Sequence, residues 1–340
     1  MARSKFLSLP SRRRMVVLAG IVVVPLTAYL AWSPGTIVTD GRHDLGHNGI
    51  WMSHAYLGDD AWFSRNNKAG IRATYRDPAF LSQRADRLRR NHLTDLFPHL
   101  CPTKSDGSLP DVDDAQVERL LDAFPAAEFR VLPWVGGVLH DSAPIEQSAW
   151  RHSFVRSCRA LLDAHPRLAG IHVNIEPLPS GNADFLLLLE ELRPALGPGK
   201  MLSVAAYPPP TVFHRFPDVH WHEAYFRQVA ARCDQLAVML YDTALHDRRL
   251  YQSIVRSWAR DVLDWSAPTP VLLGVPAYED AGAGYHDPTV ENIALSLPAI
   301  HAGLESFSAL PANYQGVAIY SEWEMSDAKW RDLGRQFLRK

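Results

Sequence analysis

Ala169-Gly170-Ile171-His172-Val173-Asn174-Ile175-Glu176-Pro177 is the stretch that decides the fold. Read with the two-residue period of a strand, Gly170, His172, Asn174 and Glu176 share one face, and Ile171, Val173 and Ile175 share the other. An apolar face opposite a row of His, Asn and Glu suits one strand of a parallel barrel, with helices covering the apolar side. Glu176 ends the strand just before Pro177, at the carboxyl end where such barrels carry catalytic groups. The competing reading is a satisfied polar network inside the barrel.

On either side of this strand the same theme recurs: a short apolar or alternating run, then a longer amphipathic segment, which is the pattern of βα units. The predicted strands are Ile50 to Tyr56, Leu93 to His99, Phe129 to Val135, Gly170 to Glu176, Met201 to Tyr207, Gln235 to Tyr241, Val271 to Ala277 and Gly316 to Tyr320. The clearest predicted helices are Asp113 to Phe124, Gln147 to Ala164, Ala183 to Leu196, Glu223 to Cys233 and Arg248 to Trp265. Thr289 to Phe307 and Asp327 to Leu338 complete the set, with Pro298 expected to kink or interrupt the former. Eight such units over residues 49–340 predict an α/β fold, a (β/α)8 TIM barrel. A doubly wound sheet is the alternative, but His54-Ala55-Tyr56-Leu57-Gly58 is not the Gly-rich phosphate turn such sheets carry after the first strand. Three strand-to-helix connections are long: Leu57 to Pro78, Gly136 to Ile145, and Pro208 to Trp221. All are expected on the face where Glu176 ends, and the last follows Tyr207 with three stiffening prolines.

Composition bounds the rest. In 340 residues, a hydrophobic fraction of 47% and a charged fraction of 21% are those of a globular chain, and a net charge of −2 gives no support for nucleic-acid binding. Met15 to Trp32 is an apolar run behind Arg12-Arg13-Arg14. It predicts a basic cytoplasmic tail at 1–14, a transmembrane signal anchor at 15–32, a linker at 33–48 and an extracytoplasmic barrel. Cleavage of the same segment would instead give a secreted protein. Cys101, Cys158 and Cys233 lack metal-ligand spacing and read as buried thiols. His214, His220 and His222 read as a solvated loop, and His54 and His99 as histidines hydrogen-bonded within the barrel. No spacing predicts a metal or a cofactor.

With the units placed, the chain resembles the chitinase-like glycoside hydrolases of family 18. Their fourth strand carries Asp-Gly-x-Asp-x-Asp-x-Glu, aligned here with Ala169 to Glu176: the Glu is kept and the three aspartates are replaced by Ala169, His172 and Asn174. Trp134-Val135-Gly136-Gly137 is similar to the family's Ser-x-Gly-Gly, and Val238-Met239-Leu240-Tyr241-Asp242 to its Met-x-Tyr-Asp. Gly274-Val275-Pro276-Ala277-Tyr278 looks like its Gly-x-Pro-x-Tyr, and the stretch from Gly316 to Trp323 resembles its eighth strand. The Asn-x-Glu variant also resembles the family 85 endo-β-N-acetylglucosaminidases.

The resemblance implies a glycosidase for a glycan containing N-acetylhexosamine, in which Glu176 is acid and base and the substrate's own acetamide attacks the anomeric carbon. Asn174 would orient that acetamide through its carbonyl, and Tyr241 would hydrogen-bond it. His172, Asp242, Trp134, Tyr207, Tyr278, Trp323 and Glu322 are the substrate-binding candidates, with Trp51 as a further stacking ring. His172 reads either as a partner fixing the Asn174 amide or as barrel filling. Two rivals stand beside this expectation. One is a two-carboxylate hydrolysis pairing Glu176 with Glu279 or Glu322. The other is an inactive barrel that binds glycan or protein, a role that loss of the aspartates favours and retention of Glu176 opposes.

Overall fold

The computed structural model describes residues 27–213, 217–280, 282 and 285–340. Its strands are β1 (Asn48–Met52), β2 (Leu93–Pro98), β3 (Arg130–Val131), β4 (Trp134–Val138), β5 (Gly170–Glu176), β6 (Met201–Ala206), β7 (Gln235–Val238), β8 (Val271–Pro276) and β9 (Tyr314–Tyr320). They form one sheet in the order β3-β2-β1-β9-β8-β7-β6-β5-β4, parallel at every pairing. β3 and β4 are two parts of a single barrel strand broken at Leu132-Pro133, where proline has no N–H to give the ladder. Across the break, Leu132 N donates to Leu96 O at 2.9 Å and His172 N donates to Pro133 O at 3.0 Å. The sheet therefore closes on itself as the expected barrel.

Alternation sorts the side chains into two cores. Trp51, Phe97, Leu132, Trp134, Ala237, Leu272 and Ala318 fill the barrel interior. Ile171, Val173 and Ile175 of β5 belong to the larger core under the helices, while His172 and Asn174 point the other way. Gly136 permits the close approach of β4 to β5: its φ is +131°, and a Cβ there would meet the Asn174 carbonyl oxygen at 1.9 Å.

Two expectations about local structure change. The helix at Ile293–Leu304 runs through Pro298 without interruption, because every residue from Ser296 to Leu304 is buried and packing overrides propensity. The connection after β1 contains the short helices Asp60–Arg65 and Arg72–Arg76 before Pro78–Arg90.

Most of the apolar run at 15–32 lies outside the described residues. Among the described residues, no helix is long and apolar enough to cross a membrane. The end of the run is held to the barrel surface: Tyr29 donates to Asp247, and Arg249 Nε donates to Trp32 O at 2.9 Å. The segment 33–48, expected as a linker, packs against the barrel instead. Thr36 N donates to Pro298 O at 2.8 Å, and the buried Asp44 accepts from Gly46 N at 2.9 Å, Asn48 Nδ2 at 2.9 Å and Arg339 N at 3.0 Å, with His92 as a further partner.

Candidate active site

β5 delivers Asn174 and Glu176 to a cavity of about 330 Å³ at the carboxyl end of the barrel. Asn174 Nδ2 donates to Glu176 Oε1 at 2.6 Å, and Tyr207 Oη donates to Glu176 Oε2 at 3.3 Å. The other Asn174 atom, Oδ1, is buried and has no hydrogen-bond partner among the described residues. Glu176 is exposed to the cavity yet ringed by its walls. Desolvation pushes its carboxyl up from 4.5, against the hydrogen bonds from Asn174 and Tyr207. A raised carboxyl pKa is what a general acid needs.

Tyr241, Asp242, Trp134, Tyr278 and Trp323 line the same cavity, as does Trp51. Tyr241 is stacked on Tyr320, with ring centroids 5.8 Å apart and planes at 20°. Tyr320, Met239, Asp280, Tyr285 and Glu324 also line the cavity and were not singled out from the sequence. Tyr320 was within reach, because the alternation that places Ala318 inside the barrel places Tyr320 there too. Asp280 and Tyr285 sit in a loop with no periodicity to point them inward.

Tyr207 is not part of the lining and reaches the site only through its hydrogen bond to Glu176, and three further candidates do not join this group. His172 is fully buried beneath the cavity, stacked on Phe97 at 4.1 Å between centroids, and does not bond Asn174. Its Nε2 accepts from Trp51 Nε1 at 3.1 Å, so its Nδ1 carries the hydrogen shared with Ser203 Oγ at 2.8 Å. Burial holds its pKa down at about 3, so the ring is neutral. Ser203 passes the chain to Gln235 Oε1 at 2.7 Å, and Gln235 Nε2 reaches Asp95 Oδ2 at 2.6 Å, making His172 part of an interior polar network. Glu322 is buried outside the cavity lining, accepting from Tyr56 Oη at 3.2 Å with Arg84 at 3.5 Å. Glu279 is exposed and paired with Lys329 Nζ at 2.6 Å. Neither carboxylate proposed as a partner to Glu176 reaches the cavity, because each is drawn to a cation elsewhere.

Among the remaining histidines, His220 is buried, with Nδ1 3.3 Å from Pro208 O, instead of lying in a solvated loop. His214 falls outside the described residues. Cys101, Cys158 and Cys233 are free thiols.

Behind Asp242 lies a buried group that the sequence did not announce. His286 stacks on Tyr278 with centroids 3.8 Å apart, and its Nδ1 faces Asp242 Oδ1 at 3.5 Å and Glu291 Oε2 at 3.7 Å. Burial pushes Asp242 up to about 6.

A second chamber of about 770 Å³ adjoins the first and shares Trp134, Tyr320 and Trp323 with it. His54 and His99 line this chamber. His54 is stacked on Trp62 at 4.5 Å, and neither of its ring nitrogens has a hydrogen-bond partner among the described residues, contrary to the expected bond within the barrel.

No family model matches the chain, and no curated protein matches it in sequence. Solved structures do share its fold. A chitinase from Chromobacterium violaceum superposes with a TM-score of 0.53 at 16% identity, covering 85% of this chain and 98% of the other. The spore cortex-lytic enzyme SleL of Bacillus megaterium gives 0.52 at 13% identity, over 86% and 74% of the two chains. A β-mannanase from the blue mussel Mytilus edulis gives 0.51 at 9% identity, over 90% and 98%. The likeness is one of barrel architecture, shared by proteins named for different glycans, so any assignment of substrate rests on the site.

Proposed function

We propose that the chain hydrolyses a glycan containing N-acetylhexosamine, with Glu176 as acid and base and the substrate's acetamide as nucleophile. The observation that carries this reading is the Asn174 carboxamide. With its Nδ2 engaged by Glu176, its Oδ1 is a desolvated acceptor in the pocket wall without a donor among the described residues, and a substrate N–H satisfies it. An unsatisfied buried acceptor costs roughly 1–3 kcal/mol, which a ligand bringing a donor recovers.

In the first step Glu176 gives its proton to the glycosidic oxygen. The acetamide oxygen bonds to the anomeric carbon as the bond to the leaving sugar breaks. Asn174 Oδ1 holds the acetamide N–H, and the Tyr241 hydroxyl supports the acetamide oxygen. Water then attacks the anomeric carbon, gives its proton to Glu176, and restores the acetamide. Asn174 brings no negative charge to the oxazolinium intermediate, so orientation is its contribution.

The test is release of reducing ends from acetylated and deacetylated glucosamine polymers by wild type and Glu176→Gln. Cleavage of the acetylated polymer alone, abolished by the substitution, is the expected result. Equal cleavage of both polymers would sink the acetamide mechanism and turn attention to the other cavity carboxylates, Asp242, Asp280 and Glu324. Tight binding without cleavage would leave a glycan-binding barrel.

We also propose that the barrel works outside the cytoplasm, tethered by the apolar run that begins at Met15, ahead of the turn held to the barrel. The support is the apolar run behind Arg12-Arg13-Arg14. Protease added to cells whose outer envelope is opened while the inner membrane stays intact should degrade the barrel, whether periplasmic or at the surface; protection would overturn this topology.

A further inference from the structure

Asp242, His286 and Glu291 each offer one ligand atom, and the three atoms lie within 4.8 Å of one another. Their surroundings orient them. His286 Nε2 lies 3.2 Å from Tyr278 O, which accepts its hydrogen, so Nδ1 is the nitrogen turned toward the two carboxylates. That Nδ1 belongs to a ring 4% exposed and makes no hydrogen bond among the described residues. Glu291 Oε1 is occupied by Thr243 N at 3.1 Å and Thr243 Oγ1 at 3.0 Å, while Oε2 is the oxygen facing His286. Tyr278 Oη donates to Asp242. Two carboxylate oxygens and an imidazole nitrogen converging on one point call for positive charge between them, supplied by a proton on Nδ1 or by a bound ion that displaces it.

The separations say what kind of cation fits. At 3.5 Å and 3.7 Å, Nδ1 is too far from either carboxylate for a good hydrogen bond. Bonds of about 2.1 Å to a tetrahedral ion, however, give ligand-to-ligand edges of about 3.4 Å. One imidazole nitrogen, two carboxylate oxygens and a ring whose other nitrogen donates to a backbone carbonyl form the donor set and outer support of a zinc-class site.

We propose that Asp242, His286 and Glu291 bind one divalent zinc-class ion, which pins the loop after β8 to the end of β7. Glu291 and His286 lie in that loop, and Asp242 follows β7 and lines the cavity, so the ion would fix the part of the wall that Asp242 and Tyr278 form. The role is structural and is independent of which glycan, if any, is cleaved.

The experiment uses the full chain stripped with chelator and titrated with zinc chloride by calorimetry, followed by thermal unfolding with and without zinc. One equivalent bound, a higher Tm with zinc, and affinity lowered at least about 100-fold in both His286→Gln and Glu291→Gln are expected. Should the variants fold poorly, cobalt(II) added to the stripped wild type should give the intense visible bands of four-coordinate cobalt, displaced by zinc. Absence of stoichiometric uptake, a spectrum of six-coordinate cobalt, or variants that bind zinc as tightly as wild type would overturn the site. The first of these outcomes would leave a protonated His286 as the resident cation.

Discussion

Asn174 and Glu176 are two residues apart on one strand, and each sets what the other does. Glu176 must carry a proton to act as an acid, and its desolvated carboxyl titrates above 4.5, so activity should fall as pH rises through that raised value. The rate profile of the wild type measures this alkaline limb directly. Asn174→Asp supplies the charge the intermediate lacks. A charge-assisted contact in place of a neutral one should raise kcat about tenfold, roughly 1.4 kcal/mol, and move the alkaline limb to higher pH through like-charge coupling to Glu176. An unchanged kcat and profile would mean that the acetamide does not meet residue 174. The same burial has a cost for stability. A carboxyl whose folded pKa is raised is tolerated below its unfolded value and destabilises the fold once pH exceeds the folded one. Glu176→Gln should therefore raise the Tm at pH 7, and the gain should vanish below about pH 4, near the ordinary Glu pKa. Thermal scans at the two pH values decide it.

Among the elements, β4 and β5 depend on each other most closely. Gly136→Ala would place a methyl group against the Asn174 carbonyl at a φ unfavourable to L-residues. A loss of about 2–4 kcal/mol in denaturant unfolding is expected, together with lost activity as β5 is displaced. A neutral substitution would show that the two strands separate easily. The elements are also where the sequence is most legible. Gly170–Glu176 has the bounds its alternation predicts, because a half-polar strand between an apolar shell and a polar interior leaves a period of two. The third strand was read as continuous and is broken at Leu132-Pro133, since periodicity does not register a missing donor. His172 shows the limit within a well-read strand. Alternation places it inside the barrel, but whether it faces the cavity or the network below depends on Ser203 and Phe97, which lie on other strands. His286 and Glu291 were invisible for a related reason: they meet Asp242 across loops of differing length, and no spacing records that.

For the whole molecule, Asp44 ties together the segment before β1, His92 at the start of β2 and Arg339 near the carboxyl end. Burial pushes its carboxyl up, but these hydrogen bonds outweigh it and hold the pKa below 3.8. A depressed carboxyl contributes stability above the unfolded pKa and loses it as pH falls through the folded one. Asp44→Ala should therefore cost about 3 kcal/mol at pH 7 and progressively less below about pH 4. Urea midpoints across that range test it, and a pH-independent penalty would assign the loss to packing alone. The N-terminal stretch reads as a linker by composition because its partners lie hundreds of residues away, beyond any local signal. At the other end of the barrel, Trp134, Tyr320 and Trp323 form a wall common to both chambers. Two of the three are indoles, which makes the partition an optical probe: a saccharide settling on either side alters the emission of the same chromophores. Occupancy can therefore be followed by fluorescence in a variant that never turns over, separating recognition from chemistry within one cuvette.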